Sequence, residues 1–116
     1  MNHSDLINRF ILWFQKSSKY KSWLIFKNNT GFDREKKIHY GIPSIGGFDL
    51  FAFGEGRAEF FEGKTISYPR LSKEQKTFRN QMIKKGFKCW IVKECDEKSF
   101  NIIPAELYKP YCLWPY

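Results

Sequence analysis

Cysteine and histidine are scarce in this chain. Its three cysteines, Cys89, Cys95 and Cys112, are an odd number without a Cys-x-x-Cys pair. That argues against a disulfide framework and against a thiolate zinc site, and it fits a reduced, cytoplasmic setting. The two histidines, His3 and His39, are far apart and have no neighbouring ligand types. Both therefore read as structural or surface residues, and no histidine-based metal site is visible. Long apolar runs are missing too. The stretch Leu6 to Phe14 is interrupted by Asn8 and Arg9, is too short to span a bilayer and lacks a small-residue cleavage site. The expectation is an intracellular protein with no membrane partner. There is no repeat, low-complexity tract or linker at which to divide the chain.

Acids are outnumbered, 12 Asp and Glu against 20 Lys and Arg, for a net charge of +8. Such an excess favours a polyanionic partner, because basic surface releases counterions from nucleic acid and steers encounter with it. Charge alone also describes an ordinary basic protein, so the decision falls to the motifs. With 116 residues, 42% hydrophobic and 19% aromatic, residues 1–116 have enough apolar material for one domain with a real core.

Ser4 is positioned to cap a first helix, on which Leu6, Phe10, Trp13 and Phe14 recur at helical spacing until Lys16-Ser17-Ser18-Lys19. Ser22 to Lys27 reads as a buried strand ending in the turn Asn28 to Gly31, followed by a charged exposed loop from Asp33 to Lys37. Ile38 to Ile42 is a candidate short strand, and Pro43 to Gly47 a flexible lead-in to the next element. After a polar loop with Pro69, Ser72-Lys73-Glu74-Gln75 is a capping box that opens a second helix, running to about Lys85 before Gly86. Strands follow at Phe87 to Lys93 and around Phe100 to Ile103, then a tail with Tyr108, Tyr111, Trp114 and Tyr116, rings expected in the core or a subunit interface rather than on bases. The order predicts an α/β fold with a mixed central sheet flanked by helices.

The informative segment lies between these parts. Leu50 to Phe53 and Ala58 to Phe61 flank Gly-Glu-Gly-Arg, a hairpin in which a loop of two or four residues pairs Phe53 with Ala58. Counting back along that register sets Asp49 opposite Glu62. Facing residues on one side of an antiparallel pair have Cβ atoms about 4.5–5.5 Å apart, and two like charges there repel, so a cation is expected between them. Alternation puts Lys64 on the face of Glu62, while Gly63 points away with its carbonyl accessible. Two carboxylates, a backbone carbonyl and waters form an all-oxygen site suited to Mg²⁺ or Mn²⁺. An ammonium at its edge can orient a water and offset phosphate charge. An isolated Glu-x-Lys is more often a solvated ion pair. Here the acids sit among Phe48, Phe51, Phe53, Phe60 and Phe61, which predicts a strand central in the sheet, where charges need partners.

Gln75 falls on one helical stripe with Leu71, Phe78 and Met82, an odd place for an amide. Two readings stand side by side: a side chain that returns to the Ser72 backbone in the capping box, or one that reaches over the sheet toward the metal or a phosphate.

With these residues in order, the chain resembles the virus-type replication-repair nuclease domain, VRR-NUC, of the PD-(D/E)xK superfamily. The resemblance runs over about residues 4–93 and rests on Phe-Lys-Asn-Asn-Thr-Gly at 26–31, His-Tyr-Gly-Ile-Pro-Ser-Ile-Gly-Gly-Phe-Asp-Leu at 39–50, Phe-Phe-Glu-Gly-Lys-Thr at 60–65 and Leu-Ser-Lys-Glu-Gln at 71–75. It implies a restriction-endonuclease-like core in which Asp49 and Glu62 bind Mg²⁺, with Mn²⁺ as a substitute. The Gly63 carbonyl joins them, Lys64 assists the water, and Gln75 is the family's helix glutamine. Asp5, the only carboxylate before Asp33, is the candidate for an auxiliary acid on the first helix, beside the plainer reading of a negative charge in a helix's first turn. Phe48 stands where the superfamily name expects Pro, and Gly63 where a β-branched or apolar residue is usual.

The activity implied is metal-dependent, structure-selective cleavage of branched DNA, Holliday junctions included, by a homodimer in phage or mobile-element replication and repair, leaving 5′-phosphate and 3′-hydroxyl ends. Candidate DNA contacts are Lys16, Lys19, Lys21, Lys27, Arg34, Lys36 and Lys37 before the hairpin, and Arg70, Lys73, Lys76 and Arg79 at the second helix. The alternatives are a non-catalytic basic binding or accessory module, and a nuclease for RNA or for other DNA structures.

Overall fold

Two successive phenylalanines, Phe60 and Phe61, point to opposite faces of one strand, and each belongs to a separate apolar cluster. The computed structural model describes residues 1–28, 31–33, 35, 38–40 and 47–110. Its elements are α1 (His3–Lys16), β1 (Leu24–Lys27), β2 (Gly31–Asp33), β3 (Ile38–Tyr40), β4 (Leu50–Gly54), β5 (Arg57–Lys64), α2 (Lys73–Lys84), β6 (Lys88–Glu94) and β7 (Phe100–Pro104). The fold is α/β, with a five-stranded sheet ordered β1-β4-β5-β6-β7 and a two-stranded β2-β3 hairpin. Only β5 and β6 run parallel, which makes the sheet mixed as expected. Parallel neighbours need a long crossover, and α2 lies within the segment that joins them.

Helix α1 lays Leu6, Ile7, Phe10 and Phe14 on Leu50, Ala52, Phe61 and Val92. Phe78 of α2 packs with Phe48, Phe60, Cys89, Ile91 and Ile103 on the other face. Central β5 is thus covered on both sides, and seven of its eight residues are buried, the acids Glu59 and Glu62 included. Among the described residues no helix is long and apolar enough to cross a membrane.

Several expectations change in detail. Asn2, not Ser4, caps α1, its side chain accepting from the Asp5 N–H at 2.8 Å. Trp13 is exposed, and Ile7 takes its expected place on the buried face. The strand around 24–27 is not buried: it forms one edge of the sheet, leaving Leu24 62% and Phe26 45% exposed. The buried ring is Trp23, which lies so close to Gly54 that a Cβ there would sit 2.3 Å from it. Gly31 begins β2 instead of ending a turn, and Asp33 pairs with Ile38. Asn29, Thr30, Ile42, the lead-in at 43–46, and Tyr111, Cys112, Trp114 and Tyr116 lie outside the described residues.

Candidate functional site

The β4–β5 connection is a two-residue turn, with Gly54 paired to Arg57 and both Glu55 and Gly56 at positive φ, 52° and 71°. That is the mirror-image turn whose twist suits a hairpin. It pairs Phe53 with Ala58 and Leu50 with Phe61, so the next step back places Asp49 opposite Glu62. Hydrogen bonds join Asp49 to the opposite strand: its N–H donates to Glu62 Oε1 at 3.1 Å, and the Gly63 N–H donates to Asp49 Oδ2 at 2.9 Å. Asn28 holds the Asp49 segment from β1's end, its N–H donating to the Asp49 carbonyl at 2.8 Å and its side-chain amide to the Phe48 carbonyl at 3.0 Å.

Gln75 does both things that its position allowed. Its Oε1 accepts from the Ser72 N–H at 2.9 Å, completing the capping box, and also from Lys64 Nζ at 3.0 Å. Its Nε2 donates to Glu62 Oε2 at 2.8 Å. One amide therefore closes the helix and bridges the acid to the lysine, whose Nζ lies 3.4 Å from the same Glu62 oxygen.

Glu62 is only 3% exposed. Burial first, and the charge of Asp49 second, push its pKa from 4.5 up to about 8 against the opposing pull of Lys64. Burial and the neighbouring carboxylate both disfavour the charged form of Glu62, and a divalent cation bound between the acids would oppose that effect.

His3 completes the group. Its Nε2 lies 2.9 Å from Asp49 Oδ2, and that hydrogen bond, opposed by burial, raises the imidazole pKa. Among the described residues, His3, Asp49 and Glu62 each offer one ligand atom, all within 4.8 Å of one another. Two carboxylates fit Mg²⁺ or Mn²⁺, and the added imidazole is compatible with Mn²⁺ and softer divalent ions. His3, read from the sequence as a structural or surface residue without neighbouring ligand types, thus lies within reach of two carboxylates. The signal was present in the sequence: His3, Ile7, Phe10 and Phe14 form one helical stripe, so His3 prolongs the buried face toward Asp49. Asp5, two residues on, is turned about 200° around the helix. It is exposed and is not part of this group.

Gly63 has a local reason. A Cβ there would lie 2.8 Å from Ile7 Cδ1 and 3.5 Å from both Asp49 Oδ2 and His3 Nε2. Its missing side chain lets the first turn of α1 approach the strand and bring His3 to the acids. An open cavity of about 200 Å³ beside the group is lined by His3, Ser4, Ile7, Lys27, Asn28 and Asp49, which gives Lys27 a place at the mouth. Loop 65–72 is tied by Ile66 N–H to Glu94 Oε1, Tyr68 N–H to Thr65 Oγ1 and Tyr108 Oη–H to the Pro69 carbonyl.

The remaining basic candidates divide. Arg70, Lys76 and Arg79 line a second cavity, and Lys73 is exposed on α2's first turn. Lys16 lies at the far end of α1, thirteen residues and so about 20 Å along the axis from His3. Lys19 stands over the Tyr20 and Trp90 rings at 5.2 and 5.0 Å, and Lys21 is exposed just after it. These three are not brought to the acids. Arg34, Lys36 and Lys37 lie outside the described residues. No protein-family model and no curated protein matches this chain, so the site is read from its own geometry.

Proposed function

We propose that this chain is a divalent-metal-dependent endonuclease of the PD-(D/E)xK type, similar to VRR-NUC domains, that hydrolyses phosphodiester bonds in DNA, with branched DNA such as four-way junctions as the favoured substrate and a homodimer as the acting form. The observation that carries the reading is the buried Glu62 held against Asp49 with Lys64 and Gln75 at its edge. Two acids in contact, one of them protonated near neutrality without a cation, suit a metal site better than a structural ion pair.

Asp49 and Glu62 would hold Mg²⁺ or Mn²⁺, with His3 as a third ligand or as the group that orients Asp49, and with the Gly63 carbonyl as the further ligand that the resemblance implies. A cation there supplies charge neutralisation at the phosphate and a lower pKa for water. Lys64 carries the positive charge nearest the acids and lends it to a phosphate at the rim. Gln75 fixes Lys64 relative to Glu62, so the ammonium meets the phosphate already placed. Lys27, at the mouth of the open cavity, contributes to strand binding.

The test is cleavage of a labelled four-way junction beside matched duplex, flap and single-stranded DNA, with Mg²⁺, Mn²⁺ or EDTA. Metal-dependent paired nicks confined to the junction are expected, and Glu62→Ala should abolish them while binding persists. Cutting of all substrates alike would remove the junction preference. Tight binding with no cutting under any metal would replace the nuclease with a binding module.

A further inference from the structure

A second cavity, of about 320 Å³, opens between α2 and the segment after β7. Four of its lining residues are cations, Arg70, Lys76, Arg79 and Lys109, the ring of Tyr108 supplies a wall, and no acidic residue lines it. Four basic side chains around one hollow make it a place of positive potential. The volume falls at the small end of ligand-sized pockets.

The hollow is built rather than accidental. Its two walls come from segments about thirty residues or more apart in sequence, and they are fastened together. Tyr108 donates its hydroxyl hydrogen to the Pro69 carbonyl at 2.6 Å, and Arg79 Nη1 reaches the Ala105 carbonyl at 3.5 Å. Tyr108 is buried and Arg79 half-buried, so part of the positive lining is held in place before any ligand arrives. The same helix serves the acidic site, since Gln75 bonds Glu62 and Lys64. Arg79 stands one helical turn further on, about 6 Å along the axis. A nucleic-acid strand advances about 3.4 Å per nucleotide along its duplex axis, so one or two nucleotides would bridge that offset.

We infer that this pocket binds a phosphate group of the nucleic-acid strand, one or two nucleotides from the phosphate held at the acidic site; in its choice of ligand the inference rests on the nuclease reading. The pocket acts as a register point. It fixes how far the strand has advanced along α2, as a built phosphate contact does in positioning a strand without reading its sequence.

The experiment measures binding of a fluorescein-labelled DNA oligonucleotide in EDTA over a series of salt concentrations, together with calorimetric titration of inorganic pyrophosphate. It compares the wild-type chain, Lys76→Gln/Arg79→Gln, and a control of equal charge change outside the pocket lining, Arg9→Gln/Lys88→Gln, at two exposed side chains. Circular dichroism melts establish that each variant is folded. Lys76→Gln/Lys109→Gln, at two exposed side chains, repeats the test should Arg79 be needed for folding. The pocket pair should weaken oligonucleotide binding about tenfold or more and reduce the salt slope by about two, with pyrophosphate binding lost in parallel, while the control pair changes affinity by about twofold at most. Equal losses in pocket and control pairs, or no loss in either, would overturn the pocket in favour of diffuse charge. Pyrophosphate binding that depends on the pocket while oligonucleotide binding does not would overturn the strand as its ligand and assign it to free phosphates. Failure of the nuclease reading looks different: no metal-dependent cleavage, with the pocket-dependent binding intact.

Discussion

Strand β5 buries two glutamates three residues apart, Glu59 at 2% exposure and Glu62 at 3%, and they have opposite surroundings. Alternation sends Glu59 to the α1 face, where one oxygen accepts from the Tyr20 hydroxyl at 2.9 Å and from the Trp90 indole at 2.7 Å. Those donors are neutral, aromatic and closed in. Glu62 goes to the α2 face and meets a second carboxylate, an amide shared with a lysine, and a histidine just beyond Asp49. Burial of a charge is common to both. What separates them is whether the neighbourhood completes the carboxylate with neutral donors, as at Glu59, or adds a further negative charge, as at Glu62. The first arrangement satisfies its acid within the protein, and the second is the one we propose to hold a cation.

The largest contrast lies in activity. Glu62→Ala should lower metal-dependent cleavage by more than the roughly 10–100-fold that loss of an outer-shell metal partner costs, whereas Glu59→Ala, assayed at a temperature where it stays folded, should cut at a rate close to wild type. Equal losses in the two would erase the distinction. Stability should reverse the order: Glu59→Ala leaves the Tyr20 and Trp90 donors buried without their acceptor, at a cost of roughly 2–4 kcal/mol in chemical denaturation.

The pH dependence of the metal-free protein sharpens the same contrast. The folded pKa of Glu62 is raised to about 8 from 4.5. Between those values the folded chain retains a proton that the unfolded chain has released, so the contribution of Glu62 to stability is fully present below pH 4.5 and declines as pH rises toward about 8. The span is on the order of a few kcal/mol. Melts in EDTA should show this decline, and Glu62→Gln should flatten it. A melting temperature that climbs over that interval in the wild-type chain would contradict the assignment.

Smaller effects probe the approach of α1. His3→Ala should weaken Mn²⁺ binding about 10–100-fold, while Asp5→Asn, on the other side of the helix, should leave it unchanged; calorimetric titration distinguishes them. Gly63→Ala sets a Cβ against Ile7 Cδ1, the far end of a flexible side chain. A loss of about 1–2 kcal/mol is expected, accompanied by weaker metal binding as His3 is displaced from Asp49. Unaltered stability and metal affinity in that variant would mean the missing side chain has no part in closing the site.

Much of this was legible beforehand because it depends on short-range rules. A tight turn between two apolar runs sets register, and register alone aligned Asp49 with Glu62 and put Lys64 on the same face. The capping box announced Gln75 and the start of α2. The two roles weighed against each other for Gln75 proved compatible, since an amide has a donor end and an acceptor end and each serves a different neighbour. Sequence proximity does not reveal His3, because the acids it approaches are 46 and 59 residues away. The apolar composition of 24–27 predicts burial, but exposure there depends on an edge position that composition does not report.

By itself the sequence determined the hairpin and its register, both helices, the mixed character of the sheet and the basic balance of the chain, because turn geometry, alternation and capping act over a few residues. Tertiary structure alone decided which of two buried glutamates faces a second carboxylate, how closely His3 approaches the acids, and that Arg79 and Lys109 share a hollow with Arg70 and Lys76. Those outcomes depend on which faces meet across the sheet and how closely two backbones approach, quantities set by packing of the whole chain rather than by any local stretch of it.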